Sequence, residues 1–135
     1  MFRLILLTSG VLVFTPPEVS PRPCTSLSVV EVDTTVDVSA TGPSLLHQRS
    51  SGGPRYPIDL RNQRVQGEVR ASFVVDTLGR VARGSSGILE ESHYAFGQSV
   101  CEFLRSAEFE PVVVGGKRVS VRFVGTRFMF TTSGG

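Results

Sequence analysis

Residues 68–79 read Glu-Val-Arg-Ala-Ser-Phe-Val-Val-Asp-Thr-Leu-Gly. Val69, Ala71, Phe73 and Val75 fall on one side of an extended chain, and Glu68, Arg70 and Ser72 on the other. A period of two means a strand with one buried face. Asp76-Thr77-Leu78-Gly79 then forms a turn, with aspartate at its start and glycine supplying positive φ at its end. Arg80 to Ser86 is predicted to return as the second, antiparallel strand of a hairpin.

Around this hairpin the other elements fall into place. Upstream, Pro57 suits the first turn of a helix, where its missing N–H is no loss. A short helix is expected from Pro57 to Arg64, ended by Gly67, with Ile58, Leu60 and Val65 as its buried contacts. Downstream, Phe96, Val100, Phe103, Leu104 and Ala107 make one apolar stripe at helical spacing. This predicts a main helix from Ser92 to Glu108, with Ser92 as N-cap, Glu90-Glu91 as charges favourable at its start, and Pro111 preventing continuation. Gly97 weakens such a helix by roughly 1 kcal/mol relative to alanine. Gly115-Gly116 is a turn, and Lys117 to Phe130 is a long final strand. Val119, Val121 and Phe123 share one face, but the aromatic residues then change parity to Phe128 and Phe130. That change of phase predicts a bulge near Gly125-Thr126, or a second half packed against something else.

The first 54 residues are organised differently. Leu4 to Phe14 is an apolar run behind Arg3. It is shorter than the ~20 residues a membrane-crossing helix needs and matches the apolar region of a secretory signal. A short membrane anchor and a buried core segment are the other readings. Cys24 lacks the small residues expected before a lipidated cysteine. Thr15 to Ser26 reads as a linker, Leu27 to Val38 as a strand on its β-branched content, and Ser39 to Arg55 as a Gly/Pro/Ser-rich loop. The expected division is therefore 1–23 for signal or anchor with linker, 24–54 for a linker with a strand, and 55–131 for the folded domain. Export would make Cys24 and Cys101 candidates for a disulfide. The simpler expectation is two unpaired thiols, with Cys101 as a small core hydrophobe.

Composition excludes more than it proposes. The chain has 135 residues, 40% hydrophobic and 19% charged, which fits a globular domain. A formal charge of +2 with scattered arginines argues against a nucleic-acid partner. With no tryptophan and nine phenylalanines, phenylalanine carries the aromatic core. His47 and His93 lack partners at metal-ligand spacing, so no metal or other cofactor is expected. Ser85-Ser86 is not a nucleophile elbow, and no triad partner can be placed beside it. Gly115-Gly116-Lys117-Arg118 lacks the other positions of a phosphate loop. The chain is not expected to be an enzyme.

The motifs, taken in order, resemble those of the TonB C-terminal domain. Arg55-Tyr56-Pro57 is similar to the Tyr-Pro that opens it, and Gln66-Gly67-Glu68-Val69 to its (Glu/Gln)-Gly-x-Val. Phe73-Val74-Val75-Asp76 with Gly79-Arg80-Val81 resembles its hairpin signature, and Ser85-Ser86 stands where members carry a serine pair. Phe109-Glu110-Pro111 is similar to its Phe-x-Pro, and Gly116 with Val119 and Val121 to the Gly-x-x-Val that opens the last strand. The resemblance implies an α+β fold: a three-stranded antiparallel sheet packed by two helices, with room for an additional N-terminal strand.

It also implies a mode of action. TonB-type domains capture an extended peptide, the TonB box of an outer-membrane receptor, alongside the last strand. An exposed edge offers unpaired N–H and C=O groups that a second strand satisfies. The partner-binding residues expected on this basis lie between Val119 and Phe130. They are Val119, Val121, Arg122, Phe123, Val124 and Arg127, with Tyr56 at the loop that also meets the receptor. The competing reading makes the last strand a core strand whose edge is covered by Leu27–Val38. The location implied is periplasmic and exported, with inner-membrane anchoring as a variant. Coupling to an ExbB/ExbD-type motor would need a membrane helix and a long spacer. The 41 residues from Thr15 to Arg55 would span roughly 35 Å as a coil and about 140 Å fully taut. A soluble periplasmic adaptor, inhibitor or structural protein is the alternative, and homodimerisation stays open.

Overall fold

The computed structural model describes residues 22–24, 35–39 (backbone) and 47–132. The expected signal or anchor, and the first part of the Leu27–Val38 strand, lie outside these residues. Strands β1 (Arg22–Pro23), β2 (Thr35–Ser39), β3 (Gly67–Val75), β4 (Gly87–Glu91), β5 (Val112–Val114) and β6 (Lys117–Phe130) alternate with helices α1 (Ile58–Asn62) and α2 (Tyr94–Ser106). The sheet order is β1-β4-β3-β6-β2, with β5 paired to β6. The antiparallel core β4-β3-β6 with two helices is the α+β arrangement expected from sequence.

The core lies on the side of the sheet that faces α2. Val69, Ala71, Phe73 and Val75 of β3 are buried, as are Phe96, Val100, Cys101 and Leu104 of α2, and they join one apolar cluster. Phe73 sits among aromatic neighbours, with ring centroids 5.8 Å from Phe109, 5.8 Å from Phe123 and 6.5 Å from Phe128. A second aromatic group closes the other end: Phe96 stacks on Phe130 at 4.4 Å, and Tyr56 meets both edge-on at 5.6 Å.

Several local expectations need correction. The Asp76 turn forms: its carboxylate accepts from the N–H groups of Leu78 (2.9 Å) and Arg80 (3.0 Å), and Gly79 has φ +85°. The return strand, however, is not Arg80–Ser86. After a single bridge between Val75 and Val81 the chain turns again, through Gly84 at φ +78°, with the Ser85 N–H donating to the Ala82 carbonyl. The Ser85 hydroxyl there accepts from the Val74 N–H at 3.1 Å. Pairing with β3 resumes only at Gly87–Glu91, so Glu90 and Glu91 belong to a strand and not to a helix start. Helix α2 begins at Tyr94, capped by His93, whose Nδ1 accepts from the Ala95 N–H at 3.1 Å. Ser92 is not the cap: its hydroxyl accepts from the Glu68 N–H, fastening α2 to the start of β3. Helix α1 is shorter than expected, and Gly67 opens β3 instead of ending α1. A side chain at Gly67 would run into Ser92 Oγ and the Phe96 ring, at 2.0 and 2.7 Å.

The two cysteines are bonded, contrary to the simpler expectation. Cys24 and Cys101 form a disulfide with Cα atoms 5.4 Å apart. Around it, β1 runs antiparallel to β4, with Arg22 opposite Ile88. The Arg22 guanidinium pairs with Glu91 at 2.6 Å and lies over the Tyr94 ring, 4.7 Å from its centroid.

This arrangement explains Gly97. A Cβ there would fall 1.7 Å from Glu91 Oε2 and 2.8 Å from Arg22 Nη2. Both are ends of flexible side chains and can move. Gly97→Ala therefore gains helix propensity, roughly 1 kcal/mol, and loses a half-exposed ion pair, about 0–1 kcal/mol. The expected net change in a urea melt is within about 1 kcal/mol, and Glu91→Gln added to Gly97→Ala should cost nothing further. A loss several times larger would mean that the backbones, not these side chains, set the spacing.

Candidate partner-binding edge

The edge in question belongs to β6. On one side β6 is paired along most of its length with β3, from Phe130 opposite Gly67 to Val121 opposite Val75. On the other side it has two short partners. The Gly115-Gly116 turn, with φ +58° and +79°, folds β5 back onto it, so that Val112 lies opposite Val119. Immediately beyond, β2 runs parallel to β6, with Thr35 opposite Ser120 and Ser39 opposite Val124. Of the two sequence readings of this edge, the described residues thus contain a covering strand, Thr35–Ser39, which overlaps the expected Leu27–Val38 and pairs with five positions of β6.

The two faces of β6 differ sharply. Val121 and Phe123 are buried in the core, whereas Arg122 and Val124 are exposed. The phase then changes as the sequence indicated. Phe73 pairs with Phe123 and Ala71 with Thr126, so β6 carries one extra residue between these positions. Gly125, at φ +75°, supplies the backbone conformation the bulge requires. After it Arg127 and Met129 point outward and Phe130 inward.

The residues expected at the partner site therefore divide into groups. Arg122, Val124 and Arg127 share one exposed face. Arg127 lies 3.7 Å from Glu68 on β3, and the neighbouring Arg70 lies 3.4 Å from Glu90. Val121 and Phe123 offer that face only their main chain. Val119 is half-buried beneath the β5 hairpin. Tyr56 stands apart: its ring packs on Phe96 and Phe130, and its hydroxyl donates to the Val65 carbonyl. The Ser99 hydroxyl donates to the Arg55 carbonyl beside it, pinning the entrance of the domain to α2. Sequence reasoning missed Met129, which is 60% exposed and continues the outer face past the bulge. The signal for it was the parity change itself, applied one residue further.

Among the described residues no three His, Cys, Asp or Glu side chains are grouped to hold a metal ion. None of their helices is long and apolar enough to cross a membrane.

Residues 52–132 match the family described as Gram-negative bacterial TonB protein C-terminal. Among solved structures, the chain is similar to the solution NMR structure of the Pseudomonas aeruginosa TonB C-terminal domain, at 25% identity and a TM-score of 0.55. That likeness covers 71% of this chain and 94% of the Pseudomonas domain. No curated protein sequence matches. Domains of the matched family are binding modules of the Gram-negative envelope and not enzymes. With the profile covering more than half of its length and the fold agreeing, this chain belongs to the TonB C-terminal family.

Proposed function

We propose that this chain engages outer-membrane receptors by strand addition along β6, taking the receptor's extended TonB-box segment in energy-coupled transport. The observation that supports this most is the ladder between β2 and β6: the outer edge of β6 takes an extended segment by main-chain pairing at Ser120–Val124. Backbone bonds of this kind give affinity with little demand on sequence, and selectivity comes from side chains on the exposed face. Arg122, Val124 and Arg127 are the residues so placed; Val121 and Phe123 take part through their backbone, and Tyr56 by holding the domain entrance. The test is a titration with receptor TonB-box peptides, following amide shifts. Shifts concentrated between Val119 and Phe130 are the expected result, and an unmoved β6 at saturating peptide would reject strand addition.

A second reading, a periplasmic adaptor that does not transmit force, is favoured by one observation. Cys24 is tied to α2, so the chain from Cys24 onward is not a free spacer. If Leu4–Phe14 is kept as an anchor, only the seven residues Thr15–Pro21 separate it from the folded part, about 25 Å at full extension. Direct coupling to an ExbB/ExbD-type motor would require that stretch to suffice. Mass measurement of the mature chain separates the readings: a retained apolar run supports an anchored transducer, and a new N-terminus between Thr15 and Cys24 supports the adaptor.

A further inference from the structure

The strand-capture reading meets a physical obstacle. Five of the positions a partner strand would use, Ser120 to Val124, are already paired with the chain's own Thr35–Ser39. From this we infer that Thr35–Ser39 is a built-in competitor, an intramolecular strand that a receptor segment must displace. The inference rests on the strand-capture reading and adds to it a regulated edge.

Three observations carry it. First, the segment lies on the edge itself. It is parallel to β6 over five consecutive positions and directly follows the antiparallel β5, so the two together cover Lys117 to Val124. Second, the segment is tethered at both ends, before it to β1 at the opposite edge of the sheet and after it to the chain leading into β5. Cys24, eleven positions before Thr35, is bonded to Cys101, and Arg22 pairs with Glu91. His47, eight positions after Ser39, accepts from the Glu110 N–H at 2.7 Å, and Gln48 bridges to Phe109. Tethers this short give an effective concentration on the order of millimolar, so the strand competes without needing strong contacts. Third, the ladder is short. The gain from its few hydrogen bonds and the cost of ordering five residues are of similar size, which makes the strand displaceable instead of permanent.

The consequence is quantitative. If the edge is free only a fraction of the time, the affinity for a partner strand falls by that fraction. A closed-to-open ratio of about ten weakens the apparent affinity about tenfold.

The test uses the full chain and a variant, Val36→Pro with Asp37→Pro. In a parallel pair alternate residues direct their backbone groups at the neighbour, so consecutive prolines remove a donor whichever residue faces β6. Both positions lie outside residues 52–132, the part matched by the family, so the domain keeps its fold. A receptor TonB-box peptide is titrated into both proteins, and amide exchange of Ser120–Val124 is measured without peptide. The expected results are faster exchange at those amides in the proline variant and about tenfold tighter peptide binding. A second variant, Cys24→Ser with Cys101→Ala, releases one anchor and should give a smaller gain, about threefold. Equal binding by wild type and proline variant overturns the competitor. Weaker binding by the variant also overturns it, since the partner would then be adding to the outer edge of β2. If neither protein binds the peptide, strand capture itself fails. The clasp is then judged by exchange alone, and equal rates at Ser120–Val124 in the two proteins reject it.

Discussion

Replacing Phe73 by alanine should lower the stability of the domain by about 3–5 kcal/mol. The ring is fully buried in β3, the central strand of the antiparallel core, with β4 on one side and β6 on the other. Its neighbours Phe109 and Phe123 are themselves buried, and each sits on a backbone fixed by pairing or by a hydrogen bond. Phe123 is opposite Phe73 in the β3–β6 ladder, and the Phe109 N–H donates to the Gly79 carbonyl at 2.7 Å. Neither can slide into the space left, so the cavity stays open and its cost adds to the lost transfer energy. Phe103→Ala, at a half-buried ring that meets Phe128 edge-on at 6.0 Å, should cost less than half as much. Urea denaturation with an unchanged m-value measures both. Equal losses at the two positions would show that the core is not centred on β3.

The prominence of Phe73 was legible in the sequence, because a strand buried on one face writes its core as a period of two. The same logic served β6, whose bulge was visible as a change of parity at Gly125, and α2, whose stripe from Phe96 to Ala107 repeats at helical spacing. What escaped was structure without a period. Strand β4 is Gly-Ile-Leu-Glu-Glu, poor in β-branched residues and headed by a serine-glycine turn; it is a strand because β3 offers it an edge. Strand β5 was hidden because its three residues are shorter than any pattern, though the diglycine after it was read correctly as a turn. The parallel pairing of Thr35 with Ser120 joins segments far apart in sequence, and no local signal fixes such a register. The disulfide was legible only as one of two readings, because with a separation of 77 positions no local signal says whether its cysteines meet.

The candidate site shows the limit from another direction. A list of residues from Val119 to Arg127 treats a strand as a row of side chains. A strand offers a partner two different things: the backbone of every second residue at its edge, and the side chains of one face. Val121 and Phe123 are spent in the core and leave only their main chain, whereas Arg122, Val124 and Arg127 keep their side chains outside. Under the proposed strand addition, substituting Phe123 would thus report on folding and substituting Arg122 on recognition, although they are adjacent in sequence. Tyr56 belongs with Phe123 in this respect, because its ring closes the Phe96–Phe130 end of the core.

Reducing the Cys24–Cys101 bond should cost about 2–4 kcal/mol. The bond closes a loop across 77 positions, and in the chain-entropy model a loop of that size restricts the unfolded chain by about 4.5 kcal/mol. The folded chain loses part of this on reduction by letting its N-terminal segment loosen. The native contacts there are a two-residue pairing of β1 with β4, the Arg22–Glu91 pair and the Cys24 N–H donating to the Ser86 carbonyl at 3.0 Å. They meet the core only at its margin, through Ile88 opposite Arg22 and through Cys24 packed against the cluster, so the cost should fall on the denatured state and on β1, leaving the centre of the core around Phe73 in place. Reduction of the wild-type protein is the cleaner experiment, because Cys101 is 2% exposed and any replacement there adds a packing change of its own. The expected result is a lower urea midpoint in dithiothreitol with near-ultraviolet signals of the core unchanged before the transition, and a shift of similar size in Cys24→Ser, which leaves Cys101 in place. Identical midpoints in oxidised and reduced protein would mean that the bond adds no stability. A reduced protein that loses its core signals before unfolding would mean that β1 and its tether are an integral part of the domain.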